Sequence, residues 1–505
     1  METAFGPGSP IFTQTTERLS QIFAQAGHFP PVAARFREWR RSWQSIHTQD
    51  PPQASAGEEL FIHQTYLALL ARLTARRFIA PTRPISGDEE LLEIINCDYF
   101  SRRGIGNFGE GDLFSWVCLE PRWESGLDDL FLDTMRGLSE AMIPYDFSGT
   151  LPGIMDGLYY SIVPDAAHPP PRWLAEYVVQ EELGLAEDPS RSLLDPACGT
   201  GVFLTAAIRT ISKTMTEHGA DPLDVLFGMP QLVRGMDRDP LAITLARLNY
   251  LLAMGGSVQQ DHPPILVPVY LADAAQVSES YPVLPRDVAV VIETPVGKFP
   301  LPDPVIKNPM MLDWVLGRLT NYMDAAYARL HAQSEEEAVQ EVMNAYYNYL
   351  TAPKPRTPVP DPLTPTQADI LLETARSLVK LHIQGEGTLW LHMVQNNAAS
   401  EAFARTGGSD LIAGCGSLLH LEMSSFRYLK GSGRTAMLLP IDQATSGSAG
   451  RRLVGLDGVM PGSALLVSGL EQRVRLEPVG GPISADISWD EAKPTVRVVN
   501  DTSSS

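Results

Sequence analysis

The residues best suited to chemistry lie in one run, Ser192-Leu-Leu-Asp-Pro-Ala-Cys-Gly-Thr-Gly-Val-Phe-Leu204. Leu193 and Leu194 read as a strand ending at Asp195, Gly199 and Gly201 turn the chain, and a helix begins near Val202. Strand, tight turn and helix N-terminus together put a ligand at the carboxyl end of a parallel sheet, against backbone free of side chains. Two further acids repeat the pattern. Leu232-Val-Arg-Gly-Met-Asp237 is a buried strand ending in a carboxylate, and the helix after it has Asp239 as N-cap and Pro240 in its first turn. Leu266-Val-Pro-Val-Tyr-Leu271 leads to Ala272-Asp273. Each acid alone reads equally well as a helix cap; three in succession at strand ends favour a shared ligand. The second is placed to accept hydrogen bonds from both hydroxyls of a ribose.

Other nucleotide loops fit less well. A dinucleotide fingerprint needs a third glycine where this chain has Leu204, and no Gly-Lys-Ser/Thr phosphate loop is present. The spelling Asp195-Pro-Ala-Cys-Gly-Thr-Gly201 instead resembles the first motif of S-adenosylmethionine-dependent methyltransferases, in particular the amino-methylating DNA enzymes of restriction-modification and phage-defence systems. The resemblance is strong over residues 190–275 and weaker across the rest of 60–445. It implies transfer of a methyl group from S-adenosyl-L-methionine to the exocyclic amine of adenine in DNA. It assigns Asp195, Ala197, Gly199 and Gly201 to the methionine end of the cofactor, Asp237 to its ribose and Asp273 to its adenine, with Pro196 and Cys198 in the same cofactor-binding run.

The chain departs from the family at two places. A Gly-x-Tyr-Tyr-Thr-Pro lid is absent: Tyr159-Tyr160 is followed by Ser161-Ile-Val and reads as an earlier helix, and Pro169-Pro-Pro171 stands where the lid belongs. The strand Ser409-Asp-Leu-Ile-Ala-Gly414 should run into Asn/Asp-Pro-Pro and an aromatic, which hold the target amine and the flipped base. Here the slot reads Cys415-Gly416-Ser417-Leu418. After Gly414, Cys415 reads as an inert half-buried thiol rather than a nucleophile. A second candidate, Val305-Ile-Lys-Asn308-Pro309, has the amide and one proline but reads better as a turn. These departures raise an alternative to the enzyme: a cofactor-binding or scaffold subunit without turnover.

Composition bounds the partners. A net charge of −21 argues against a chain that grips duplex DNA unaided, so DNA binding calls for local basic clusters or other subunits. The clusters Arg35/Arg37/Arg40/Arg41, Arg76/Arg77 and Arg102/Arg103 read as solvated helix faces. Cys97, Cys118, Cys198 and Cys415 lie far apart, without zinc spacing or a disulfide framework. With no export signal and no stretch of 18 apolar residues, the expected location is the cytoplasm.

The elements that must position these residues follow from periodicity. The expected fold is α/β, a Rossmann-like methyltransferase sheet with an N-terminal helical domain (1–150) and a helical insertion (310–395). The sheet is expected in two parts, 151–309 and 396–445, followed by a short β-containing tail (446–505). Phe61–Leu73 is a strong amphipathic helix, with His63 beside its apolar face and read as packing or solvated rather than a ligand, and Leu113–Val117 reads as helix. Val288–Glu293 and Phe299–Ile306 read as a hairpin, 310–349 and 367–383 as helices, and Pro353–Pro365 as an extended linker. Leu421–Tyr428 reads as helix-like, Lys430–Gly433 as a turn, and Arg434–Pro440 as a fifth strand. Ala464–Val467 and Val474–Leu476 are expected strands of a tail too short for a target-recognition domain.

Overall fold

The computed structural model describes residues 1–46, 54–118, 127–163, 169–284, 287–330, 332–352, 362–416, 427–440, 451–455, 463–468, 485–488 and 495–498. Ser417, Leu418, most of the stretch 421–428, Val474–Leu476 and most of the Pro353–Pro365 linker lie outside these residues.

The chain opens on helices. α1 (Pro10–Ala26), α2 (Pro30–Ile46), α3 (Ala54–Ile79) and α4 (Leu127–Ala141) bury Leu19, Ile22, Trp39, Phe61, Tyr66 and Leu70 in one core. His63 packs on Phe12, with ring centroids 4.9 Å apart. The expected helix at Leu113–Val117 is a short 3-10 turn at Ser115–Cys118, started by Asp112, whose carboxylate accepts from Phe114 and Ser115 N–H. α5 (Asp156–Ile162) carries Tyr159 and Tyr160, and leads to the sheet.

The sheet is mixed and mostly parallel. β1 (Leu193–Asp195), α6 (Val202–Glu217), β2 (Val233–Asp237), α7 (Pro240–Met254) and β3 (Val269–Leu271) step outward from its middle to one edge. β2 has Gly235 because α6 lies directly on it: a Cβ there would stand 2.6 Å from Leu204 Cδ1. α7 is buried on nearly every side, as a helix between sheet and N-terminal helices must be. It lies in the stretch Pro240–Gln259, which among the described residues is the one helix long and apolar enough to cross a membrane; 78% of the apolar window is buried in the protein.

The stretch read as one strand, 266–271, divides at Pro268. Ile265–Leu266 pairs with Ile105–Gly106, and only Val269–Leu271 joins the sheet, while Pro268 O accepts from Gly235 N at 3.0 Å. The expected hairpin is a three-stranded meander of β4 (Glu279–Leu284), β5 (Asp287–Thr294) and β6 (Gly297–Pro302). Val305 and Ile306 are not strand but part of a short helix, Asp303–Ile306, opened by Asp303-Pro304.

α8 (Pro309–Arg329), α9 (Glu335–Thr351) and α10 (Pro365–Leu381) follow, the last two opened by capping boxes, Ser334 with Glu337 and Thr364 with Gln367. α11 (Leu389–Arg405) runs unbroken past residue 395 and covers the free edge of β3. There Asn396 Oδ1 accepts from Leu271 N at 2.9 Å, and Asn107 Nδ2 donates to the carbonyls of Val267 and Val269. Side chains thus occupy edge groups that would otherwise recruit another strand.

The chain returns on the other side of β1 with β7 (Ser409–Cys415) and β8 (Leu429–Pro440). The expected turn at Lys430–Gly433 is a register shift inside β8, between Leu429 and Arg434. β9 (Arg451–Gly455) and β10 (Ser463–Ser468) add an antiparallel ribbon, so the sheet extends beyond residue 445. Its order is β9-β10-β8-β7-β1-β2-β3, with all contacts from β8 to β3 parallel. The order in which strands are added therefore reverses between β1 and β7, where an open parallel sheet leaves a crevice.

Candidate ligand crevice

The three acids lie at one edge. In the register of the sheet Asp195 is level with Gly235, and Asp237 with Leu271. Asp273 follows β3 by two residues, and Ala272 N donates to Asp237 O at 2.9 Å. Asp195, Asp237 and Asp273 thus stand at the carboxyl tips of three adjacent parallel strands.

The bend between β1 and α6 is built around two of them. Ala197 N donates to Asp195 Oδ1 at 3.1 Å, and Gly199 N to Asp237 Oδ2 at 2.8 Å. Cys198 N donates to Met236 O at 3.0 Å and Gly201 N to Cys198 O at 2.8 Å, while Pro196 is buried beneath. Gly199 and Gly201 have φ of +52° and +91°, and Gly201 is the N-cap of α6. A side chain at either would be strained. The Cys198 thiol is buried, and burial pushes it well above the usual range, so it is packing rather than nucleophile.

Asp195 is only 1% exposed, and its Oδ2 has no hydrogen-bond partner. Burial pushes its carboxyl well above the usual carboxylate range, and the Asp237 charge adds to this. Asp237 spends one lone pair per oxygen on Gly199 N and Asp239 N, leaving acceptor capacity on both. Asp273 Oδ1 accepts from Ala275 N at 2.8 Å, and its Oδ2 lies 3.8 Å from Arg238. Among the described residues Asp156, Asp195, Asp237 and Asp239 have no ion-pair partner. Such a crevice suits a ligand bearing positive charge.

Sequence reasoning passed over a second ring of residues. α5 docks on the bend: the Asp156 carboxyl lies beside Thr200 and Asn249, which oppose its rise from burial, and the Tyr159 hydroxyl donates to Asp239 Oδ2 at 2.7 Å. Asn249 Nδ2 donates to Thr200 O at 2.9 Å and its Oδ1 accepts from Gly153 N at 2.8 Å. A buried asparagine in a mostly apolar helix is the visible signal.

On the β7 side, Cys415 and Gly416 end the strand, with Gly416 N donating to Leu438 O at 3.1 Å. Burial, with the Asp195 charge adding to it, pushes the Cys415 thiol up to about 11. Asn308 is the N-cap of α8, its Oδ1 accepting from Met311 N at 3.1 Å, and Pro309 opens that helix. Asn308-Pro309 is therefore a helix start.

The arginine clusters are partly solvated, with Arg37, Arg40 and Arg102 exposed, and most of their cations meet partners within the chain. Arg35 is buried, Arg37 pairs with Glu386 at 2.5 Å, Arg41 with Glu38 at 3.2 Å, and Arg76 with Glu90 at 2.6 Å. Arg77 donates to Ser139 O, Arg102 pairs with Glu93, and Arg103 with Asp261 at 3.8 Å. Most of these cations are spent on contacts within the chain.

No protein-family model matches the chain, and no curated protein does. Among solved structures, a chain of the cryoEM structure of a DrdV-DNA complex aligns with it at 12% identity and a TM-score of 0.26. The alignment covers 53% of this chain and 26% of that one, so this chain spans about a quarter of its length.

Proposed function

We propose that this chain is an S-adenosyl-L-methionine-dependent DNA (adenine-N6) methyltransferase-like protein of a restriction-modification or phage-defence system, built on a Rossmann-like sheet with residues 310–395 as an insertion. One arrangement supports the reading: three carboxylates on neighbouring strand tips beside a bend of bare backbone. Asp237 takes the ribose hydroxyls, Asp273 the adenine amine, and Asp195 with the backbone of 196–201 the methionine end. The sulfonium and ammonium of that molecule match unpaired acids better than a phosphate would. Other subunits supply the contacts to DNA phosphates, since the net charge is −21 and most of the clustered arginines are internally engaged.

The opposite wall favours a second reading, a cofactor-binding or scaffold subunit without turnover. Cys415 and Gly416 offer no side-chain amide or carboxylate, and Asn308 is committed to a helix start. Calorimetry with S-adenosylmethionine, followed by methyl incorporation into unmethylated DNA, separates the two. Binding with incorporation supports the enzyme, binding without it the subunit, and no binding removes both. Asp237→Ala should weaken binding by about 1.5–3 kcal/mol, the worth of a charged hydrogen-bond partner.

A further inference from the structure

The hydrogen bonds around the crevice form a connected path that the donor reading leaves unused. Tyr159 is 7% exposed, and its hydroxyl donates to Asp239 Oδ2 at 2.7 Å. Asp239 N donates to Asp237 Oδ1 at 2.9 Å, and Asp237 Oδ2 accepts from Gly199 N at 2.8 Å. Asp239 Oδ1 meanwhile starts α7 by accepting from Leu241 N and Ala242 N. One hydroxyl on α5 is therefore linked, through two acids, to the bend on which a ligand would lie.

The acceptor is a carboxylate, as it is for the half-buried Tyr177 on Glu182, but not for the fully buried Tyr66, Tyr250 and Tyr346. A buried tyrosine needs a partner for its hydroxyl, and backbone carbonyls usually suffice. Tyr66, Tyr250 and Tyr346 use the carbonyls of Phe5, Val233 and Val315. Tyr159 instead takes a buried carboxylate. Burial pushes the Asp239 carboxyl up, and the hydrogen bond from Tyr159 opposes that rise. The hydroxyl helps to keep Asp239 charged and oriented. Gly153 N, just before α5, donates to Asn249 Oδ1 of α7 at 2.8 Å, so the chain entering α5 is tied down near this contact.

We propose that Tyr159 is a positioning residue for the crevice: its hydroxyl orients Asp239, and through it Asp237 and Gly199 N, so that the docking of α5 sets affinity for the molecule bound there. The proposal rests on the donor reading given above. Its test is a cycle of the full-length protein, Tyr159→Phe, Asp239→Asn and the double variant, each titrated with S-adenosylmethionine by calorimetry and each melted. Tyr159→Phe keeps the ring, and Asp239→Asn keeps an oxygen for the start of α7.

Tyr159→Phe should bind about tenfold more weakly, as for one lost hydrogen bond to a charged group, with a melting midpoint close to that of the unaltered chain. In the Asp239→Asn background the same change should cost no more than about twofold. Equal affinity of Tyr159→Phe and the unaltered chain overturns the proposal, as does an undiminished loss in the Asp239→Asn background. Should Tyr159→Phe not fold, Asp239→Asn alone carries the test: weakened binding supports the link and unchanged affinity overturns it. If the unaltered chain binds nothing, the donor reading falls and takes this with it; binding indifferent to Tyr159 removes the positioning role alone.

Discussion

In the N-terminal helices Arg72 and Asp112 meet at 2.6 Å with both side chains buried, and Asp112 also accepts from Phe114 and Ser115 N–H. Burial alone would raise the Asp112 carboxyl, but the Arg72 guanidinium and these N–H groups overcome it and hold it below the usual range. Around the glycine bend the opposite holds. Asp195 is as deeply buried, yet one of its oxygens has no partner and its carboxyl is pushed well above that range. The same residue type is a closed structural element in one place and an open acceptor in the other. A buried charge that the fold needs is paired, because the unpaired form costs too much. One left unpaired at a strand tip is stability forgone where a ligand would sit.

The contrast is sharpest where a partner can be removed. Asp112→Ala strands a buried guanidinium and should lower unfolding free energy by about 3–5 kcal/mol in urea titration. A loss below 1 kcal/mol would mean that Arg72 finds another partner, and the N-terminal region would cease to be a paired one. Asp195→Asn should act in the other direction. The unliganded protein should melt at a higher temperature, because a disfavoured charge is gone, while binding of S-adenosylmethionine weakens by about 1.5–3 kcal/mol. A drop in melting temperature would place Asp195 with Asp112 as a structural acid.

A gentler probe uses pH. Asp313 is pushed up to about 6 by burial, against the donation from Gln395 Nε2 at 2.6 Å. A carboxyl raised on folding holds its proton better in the folded state, so its contribution is full below the ordinary value of 3.8 and is lost as pH rises through about 6. The stability difference between Asp313→Asn and the unaltered chain should therefore change between pH 4 and 6 and be flat above about 7. A difference independent of pH would show that Asp313 keeps its charge. The smallest effect concerns Cys415. With its thiol pushed up to about 11, alkylation by iodoacetamide at pH 8 should be far slower than for a free thiol of ordinary acidity, as read by peptide mass spectrometry. Rapid alkylation would make it an exposed, reactive group and reopen its role in the crevice.

Much of the crevice was readable along the chain because its parts are local. Leu193-Leu194-Asp195 and Val233–Asp237 are apolar runs that end in an acid, and Asp239-Pro240 is a helix start by residue type alone. The glycines at 199 and 201 announce a bend for the same reason. Errors fell where a short apolar run has no period of its own. Val305-Ile306 satisfies a strand and a helix turn equally, and Asp303-Pro304 decided it. Lys430–Gly433 carries turn residues, yet pairing with β7 draws it into a bulged strand. The arginine clusters do present exposed side chains, but the pairing of Arg37 with Glu386, on the far side of the chain in sequence, could come only from the packed structure.

By itself the sequence determined where the strands before Asp195 and Asp237 end, where most helices start, and that three acids recur at or just after the ends of successive strands. These depend on side-chain period, caps and glycine conformations, which act over a few residues. Only the tertiary structure decided that the strands lie in the order that brings those acids to one edge, that β7 returns beside β1, and that Tyr159 reaches Asp239 across 80 positions of chain. Those outcomes depend on which apolar faces bury one another, a property of the whole packed chain that no local run of residues encodes.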